Sequence, residues 1–219
     1  IAFGASTSVA AGLKYVGDNG FASSITVNSK NADDAVGFLT DGDQNKVNVM
    51  GAYTGDNYHI SATFTTQQKG YTGGYPYYST SAAAQVGKDL NGFALRGWWR
   101  PDETGTAIPS ISVGVDTVSY TIPAGGTGYK EGDGYSVALN WEDMFQADDV
   151  IGIAFGQPIR GTNHTGTDVD VEPFLWEAYY SFRPNDSIEI TPGVFGGSDV
   201  LGDKDDDIFG AVLATTFKF

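Results

Sequence analysis

The sequence predicts an all-β fold, an antiparallel transmembrane β-barrel, from three observations. Apolar and polar residues alternate with a period of two, turn-forming residues separate the alternating segments, and aromatic residues recur near one end of them. About eleven segments fit this strand pattern. The sequence has no run of about 18 or more apolar residues, so it contains no transmembrane helix.

The alternation is clearest in the last segment of the chain. Phe209, Leu213 and Phe217 fall on one face of a strand there, and Gly210 and Lys218 fall on the other. The same two-sided pattern recurs in the segments that begin at Ile1, Tyr58, Phe93, Tyr135 and Phe174. A strand with one apolar and one polar face lies between two different environments.

Glycine, asparagine, aspartate and proline divide the chain into strands. Short turns are predicted at Gly17–Gly20, Gly55–Asn57, Pro101–Thr106, Gln146–Asp148 and Pro184–Asp186. Longer loops are predicted at Asn31–Asn45, Gly70–Asp89, Ser119–Asp133, Arg160–Glu172 and Asp199–Asp206. Strict alternation of short turns and long loops puts all the short turns at one end of the sheet, which is the plan of outer-membrane barrels.

Aromatic side chains recur on the apolar face close to the short turns. The predicted girdle at the membrane interface consists of Tyr15, Tyr53, Trp99, Trp141, Phe182 and Phe219. Such rings suit a bilayer interface, which has an apolar side and a wet side. In the alternative interpretation, a soluble β-sandwich, these side chains fill the core.

Composition excludes several classes of function. The formal net charge of −15 argues against a nucleic-acid partner, because binding nucleic acid needs a basic surface. The sequence has no cysteine and only two histidines, His59 on a strand and His164 in a predicted loop. It lacks a nucleophile elbow and a paired-histidine metal motif, so we expect no enzyme activity, no cofactor and no metal.

Charged residues on the polar faces are the candidate lining of a pore. These candidates are Lys14, Arg96, Arg100, Asp116, Glu142, Glu177, Arg183, Glu189 and Lys218. Four of them, Lys14, Arg100, Arg183 and Lys218, fall near the short turns, whereas the long loops are acidic. This arrangement suggests an anionic mouth above a more basic lower lumen. Alternatively, the loop charges only keep an outer surface solvated.

The C-terminal part of the chain resembles a known family. Ile190-Thr191-Pro192-Gly193-Val194 and the ending Thr215-Thr216-Phe217-Lys218-Phe219 resemble the last strands of cyanobacterial outer-membrane porins, which are related to the OprB-like carbohydrate-selective porins. The resemblance implies a homotrimer in the bacterial outer membrane, in contact with lipid and lipopolysaccharide. It also implies passage of inorganic ions and small solutes.

The same resemblance implies that residues 1–219 are the C-terminal portion of a longer protein. The family carries an N-terminal surface-layer-homology domain that binds peptidoglycan, and no such domain is present in this sequence. An odd number of strands also suggests that the first strands of a roughly sixteen-stranded barrel are absent.

Two functions from different classes fit a membrane barrel. The first is a porin for passive diffusion of ions and small hydrophilic solutes. The second is a surface receptor or adhesin with a plugged lumen and partner-binding loops. Small residues on the polar face, among them Gly152, Ala154 and Gly156, favour a thin wall around open space. The loop Gly70–Asp89, the longest, is the candidate constriction.

Overall fold

The fold is all-β, as the sequence predicts, and the described residues form a single antiparallel sheet of eleven strands. The computed structural model describes residues 9–30, 44–68, 89–126, 128–165, 171–200 and 206–218. The strands are β1 (Val9–Val16), β2 (Phe21–Ser29), β3 (Asn45–Thr54), β4 (Tyr58–Gln67), β5 (Asp89–Trp99), β6 (Ser110–Thr121), β7 (Gly128–Glu142), β8 (Val150–Thr165), β9 (Phe174–Asn185), β10 (Ile188–Ser198) and β11 (Ile208–Phe217). Their number confirms the predicted count.

Each of the strands β2 to β10 pairs with the strand before it and the strand after it in the chain, in the order β1 to β11. The sheet is therefore a simple up-and-down meander. Strands β1 and β11 form its two edges and do not pair with each other within the described residues. The described part of the chain has no helix long and apolar enough to cross a membrane.

The register of the strands separates two faces. Leu13, Ile25, Val49, Phe64 and Phe93 lie opposite one another on five successive strands, and they form an apolar row. The row one residue along contains Lys14, Ser24, Met50, Thr63, Ala94 and Asp116. Because neighbouring residues of a strand point to opposite faces, these rows define an apolar face and a polar face.

The apolar face is the exposed one. Leu13 is 78% exposed and Phe209 is 74% exposed on the two edge strands, and exposed large apolar side chains on the strands between them range from 36% to 50%. On the polar face, by contrast, Thr65, Gln67 and Ala94 are buried. Side chains on the inside of a curved sheet crowd together and those on the outside diverge, so this difference in burial is what curvature toward the polar face would produce.

The apolar face is bounded at the end opposite the short turns. In one row across the sheet Phe93 lies opposite Thr117, which lies opposite Asp133, which in turn pairs with Arg160. The apolar stretch of β5 from Trp99 to Phe93 is about 20 Å long at the usual rise per residue of a strand. On β7, charged residues therefore begin where the apolar positions from Trp141 to Tyr135 end.

The strands extend further into two predicted loops than the sequence pattern indicates. The predicted loop Ser119–Asp133 is mostly strand, and β8 continues to Thr165 through half of the predicted loop Arg160–Glu172. His164 therefore lies in a strand, where its ring contacts Tyr129 edge to face at 4.7 Å. These segments are polar on both faces and show no alternation.

The predicted strict alternation of short turns and long loops is also wrong. The connection 122–127 falls within a predicted long loop, but it is shorter than the connection 100–109, which contains the predicted short turn Pro101–Thr106.

The turn between β7 and β8 is built around Asp149, whose side chain is fully buried. Its carboxylate accepts hydrogen bonds from the backbone N–H groups of Met144, Phe145 and Gln146 and from the hydroxyl of Tyr180, at 2.8 to 3.1 Å. Burial alone would raise the pKa of Asp149, but these hydrogen bonds outweigh it and hold the pKa below its ordinary value.

Replacing Asp149 with alanine is expected to lower the unfolding temperature by about 5 °C, because three backbone donors and one hydroxyl lose their acceptor. The lowered pKa means that the carboxylate stabilises the fold above the unfolded-state pKa of about 3.9 and loses this effect as the pH falls through the folded-state value. Thermal unfolding in detergent at pH 7 and pH 3 measures both effects. Asp18→Ala, at an exposed turn position, is the control, and an equal loss in both variants would contradict the role of Asp149.

Candidate functional site

The candidate functional site is the polar face of the sheet, and the structure places all nine predicted pore-lining residues there. Seven lie within strands, and Arg100 and Lys218 directly follow β5 and β11. The register runs continuously from Lys14 on β1 to Asp116 on β6. It also aligns Glu177 with Ala154 and Phe195, and Glu189 with Thr216.

Arg96 and Asp116 form an ion pair in the middle of this face, with 2.5 Å between Nη2 and Oδ2. The guanidinium also donates to the backbone carbonyls of Leu95 and Val115. The arginine side chain lies across Gly114, since a Cβ at that position would come within 3.0 Å of its Cδ, Nε and Cζ atoms. Arg96 therefore lies along the wall and neutralises Asp116.

A second charged group lies at the short-turn end of the face. Arg183 pairs with Glu189 at 3.0 Å and with Asp148 at 3.6 Å. Arg100 lies with its Cζ 5.3 Å from the centre of the Trp98 ring, which stacks on His59 at 6.0 Å. Cation–π contact of this kind holds an arginine over an aromatic ring.

Acidic residues share this end of the face with the predicted basic cluster. A recess of about 320 Å³ next to Arg100 is lined by Asp56, Asp102, Glu103 and Glu142. Asp102 accepts a hydrogen bond from Asn57 at 2.8 Å, which ties the connection after β5 to the turn after β3. The short-turn end thus carries both signs of charge, where the sequence pattern indicates a basic one.

Large side chains on the polar face lean over glycines on the neighbouring strand. Tyr179 covers Gly152, where an added Cβ would overlap the ring, and its hydroxyl donates to Asn140 beyond it at 3.1 Å. Phe195 covers Gly210 in the same way. Leu175 covers Gly197, as Arg96 covers Gly114.

These glycine pairs are features of the polar face that sequence reasoning missed. Each pair consists of residues on different strands, and only the register shows that they are opposite each other. The glycine lets the long side chain lie flat, so the wall stays thin and the space in front of it stays open. The high glycine content, 30 residues in 219, is the only signal of this in the sequence.

Five members of the predicted aromatic girdle lie on the apolar face close to the short turns. Two of them pair with an aromatic residue of the next strand, since Tyr15 contacts Phe21 at 6.3 Å and Tyr53 contacts Tyr58 at 5.9 Å. The indole N–H of Trp141 donates to a backbone carbonyl at 3.0 Å. The remaining member, Phe219, lies outside the described residues.

Several other predicted features lie outside the described residues. They are the candidate constriction within 70–88, the acidic loop residues 203–205, and the first eight residues. Among the residues that the structure describes, no three acidic or histidine side chains are grouped in a way that could hold a metal ion.

Comparison with known proteins gives one informative similarity. No protein-family model matches the sequence. The chain is similar to the uncharacterized protein alr4550 of Nostoc sp. (strain PCC 7120 / SAG 25.82 / UTEX 2576), with 28% identity over 198 residues. The match covers 83% of this chain and 33% of the relative, so the chain spans about a third of the length of the curated protein that it matches.

Proposed function

We propose that this chain is part of the wall of an outer-membrane porin through which inorganic ions and small hydrophilic solutes diffuse passively. One observation carries the proposal. An exposed apolar face continues across all eleven strands, and the opposite, more buried face carries the nine charged candidate residues. That arrangement is the reverse of a water-soluble protein, which buries its apolar face and exposes the polar one.

Lipid is the environment that suits the apolar face. Burying one fully exposed leucine or phenylalanine side chain stabilises a protein by about 1.5–3 kcal/mol. The exposed set includes Leu13, Ile60, Phe93, Val113 and Leu213. The strands also satisfy each other's backbone groups, which any segment inside a bilayer must do. Aromatic side chains at one edge of the apolar band add the usual interfacial anchors.

Closure of the barrel is the second part of the proposal. The outer edges of β1 and β11 present backbone N–H and C=O groups without partners among the described strands. Such groups are costly in a membrane, so the edges need further strands. The matched relative is about three times as long as the matched segment. We propose that further strands of a longer protein join β1 to β11.

The lumen is then formed by the polar face. Its charged side chains are held by ion pairs along the wall, as Arg96 is by Asp116 and Arg183 by Glu189. The glycine pairs keep other long side chains flat against the wall. Both features favour an open aqueous path over a plugged interior.

The first test is single-channel recording from the detergent-purified full-length protein in a planar bilayer. We expect stepwise, long-lived openings with weak selectivity. Well-folded protein that gives no conductance would contradict the porin proposal and favour a receptor or adhesin with a plugged lumen. Heat-modifiable migration of the protein in a detergent gel shows independently whether the preparation is folded.

Ion preference is expected to favour cations. The chain has a formal net charge of −15, and its acidic residues include Asp56, Asp102, Glu103 and Glu142 at the short-turn end of the polar face. Negative charge near a pore raises the local concentration of cations. The reversal potential under a potassium chloride gradient measures the preference, and chloride preference throughout would contradict this expectation.

A further inference from the structure

A recess of about 510 Å³ interrupts the polar face at mid-height between β7, β8, β9 and β10. Its volume lies within the range of small-molecule sites, about 300–1,000 Å³. Its floor consists of small residues, because Ser136 lies opposite Gly156 and Ala138 lies opposite Ala154. The floor leaves room for a ligand where larger side chains would fill the space.

Apolar side chains form one wall of this recess. Leu175 lies next to Gly156 in the register, and Phe195 lies beside Glu177 on the following strand. Phe195 is 40% exposed although it is on the face that carries the charges. It leans over Gly210, so its ring borders the recess instead of filling it. An aromatic and aliphatic wall of this kind binds the apolar body of a ligand.

Two carboxylates border the recess, and only one of them forms an ion pair among the described residues. Asp116 is neutralised by Arg96. Glu177 is exposed, lies directly between Ala154 and Phe195, and has no ion-pair partner among the described residues. The recess therefore combines an apolar wall with one uncompensated negative charge.

We propose that this recess is a binding subsite for organic monocations that have a compact apolar or aromatic body. The body lies on the small-residue floor against Leu175 and Phe195, and the cationic group lies at Glu177. The ring of Phe195 adds cation–π attraction. The inference rests on the proposed porin in one respect, since it places the subsite in the path of permeating solutes.

Benzyltrimethylammonium is a suitable probe, with benzyl alcohol as the neutral analogue and benzenesulfonate as the anionic one. Two readouts on the full-length protein separate the inference from the porin proposal. One is concentration-dependent block of single-channel current. The other is calorimetric binding to the protein in detergent, which needs no conductance. The cationic probe is expected to bind and block several-fold more strongly than the neutral analogue, and the anionic analogue is expected to bind most weakly.

Substitutions within the recess test its chemistry. Glu177→Gln is expected to weaken block and binding about fivefold, the size of an exposed ion-pair contribution. Glu177→Asp, which keeps the charge, is expected to restore most of the affinity. Ala154→Phe fills the floor and is expected to abolish binding. Glu131→Gln, the same change on the other face of the sheet, is the matched control and is expected to leave block unchanged.

The outcomes are distinct. Conductance without cation-specific block or binding would overturn the subsite and leave the porin proposal intact. Cation binding in detergent without conductance would support the subsite and contradict the porin. Equal block by benzyl alcohol, or equal affinity in Glu177→Gln and the unmodified protein, would also overturn the inference.

Discussion

Replacing Val113 with arginine is expected to destabilise the membrane-inserted protein by about 2–4 kcal/mol, the cost of a basic side chain on the lipid face at the bilayer midplane. Val113 is 49% exposed and lies between Ile111 and Val115 in the middle of the apolar stretch of β6. An arginine there would lie opposite Gly97 and Val137, neither of which is charged, and lipid on this face would desolvate it. Denaturant unfolding of the protein in lipid vesicles measures the loss.

The control is the same substitution one residue earlier on the same strand. Ser112 points to the polar face, where it lies opposite Trp98 and Ala138. Ser112→Arg is expected to change stability by much less and to alter ion preference instead. If Ser112→Arg and Val113→Arg lost the same stability in vesicles, the assignment of the two faces to lipid and lumen would be wrong.

Gly152→Ala is expected to cost about 1–3 kcal/mol, although it adds a single methyl group. The new Cβ would lie 2.2 Å from Cε1 of Tyr179 if nothing moved, so the ring must leave the wall. Its hydrogen bond to Asn140 is then lost. In the proposed porin, a tyrosine turned into the lumen would also narrow the pore. Conductance and unfolding free energy are therefore expected to fall together.

Gly92→Ala is the matched control on the same face, because its Cβ would meet its nearest neighbours at 3.5 Å or more, an ordinary contact. This control is expected to be neutral or to stabilise the protein by up to about 1 kcal/mol. Adding Tyr179→Ala to Gly152→Ala is expected to remove most of the penalty. Independent, additive effects in this double-mutant cycle would contradict the packing of Tyr179 over Gly152.

The architecture could be predicted from the sequence because one physical rule dominates it. A strand whose two faces meet different environments alternates apolar and polar residues, and Phe93, Leu95 and Trp99 show this pattern without knowledge of their neighbours. Turn residues such as those at Gly17–Gly20 also act locally, and the structure has a tight turn there.

The ends of the strands and the packing on the polar face could not be predicted in the same way. β7 and β8 continue past the apolar band through segments such as Gly128–Asp133, where both faces are polar and alternation disappears. A bulge between Asp133 and Tyr135 shifts the register there. Contacts such as Tyr179 over Gly152 depend on cross-strand register, which a single chain segment does not encode.

The meander order of the strands has a consequence for engineering. Because each described strand pairs only with its sequence neighbours, one hairpin such as β3 and β4 is a separable unit of the wall. Deleting or duplicating such a unit changes the perimeter by two strand spacings, about 10 Å, without rethreading the rest of the chain. The diameter of a barrel grows with its number of strands, so the bore of the proposed barrel would be adjustable in steps of one hairpin.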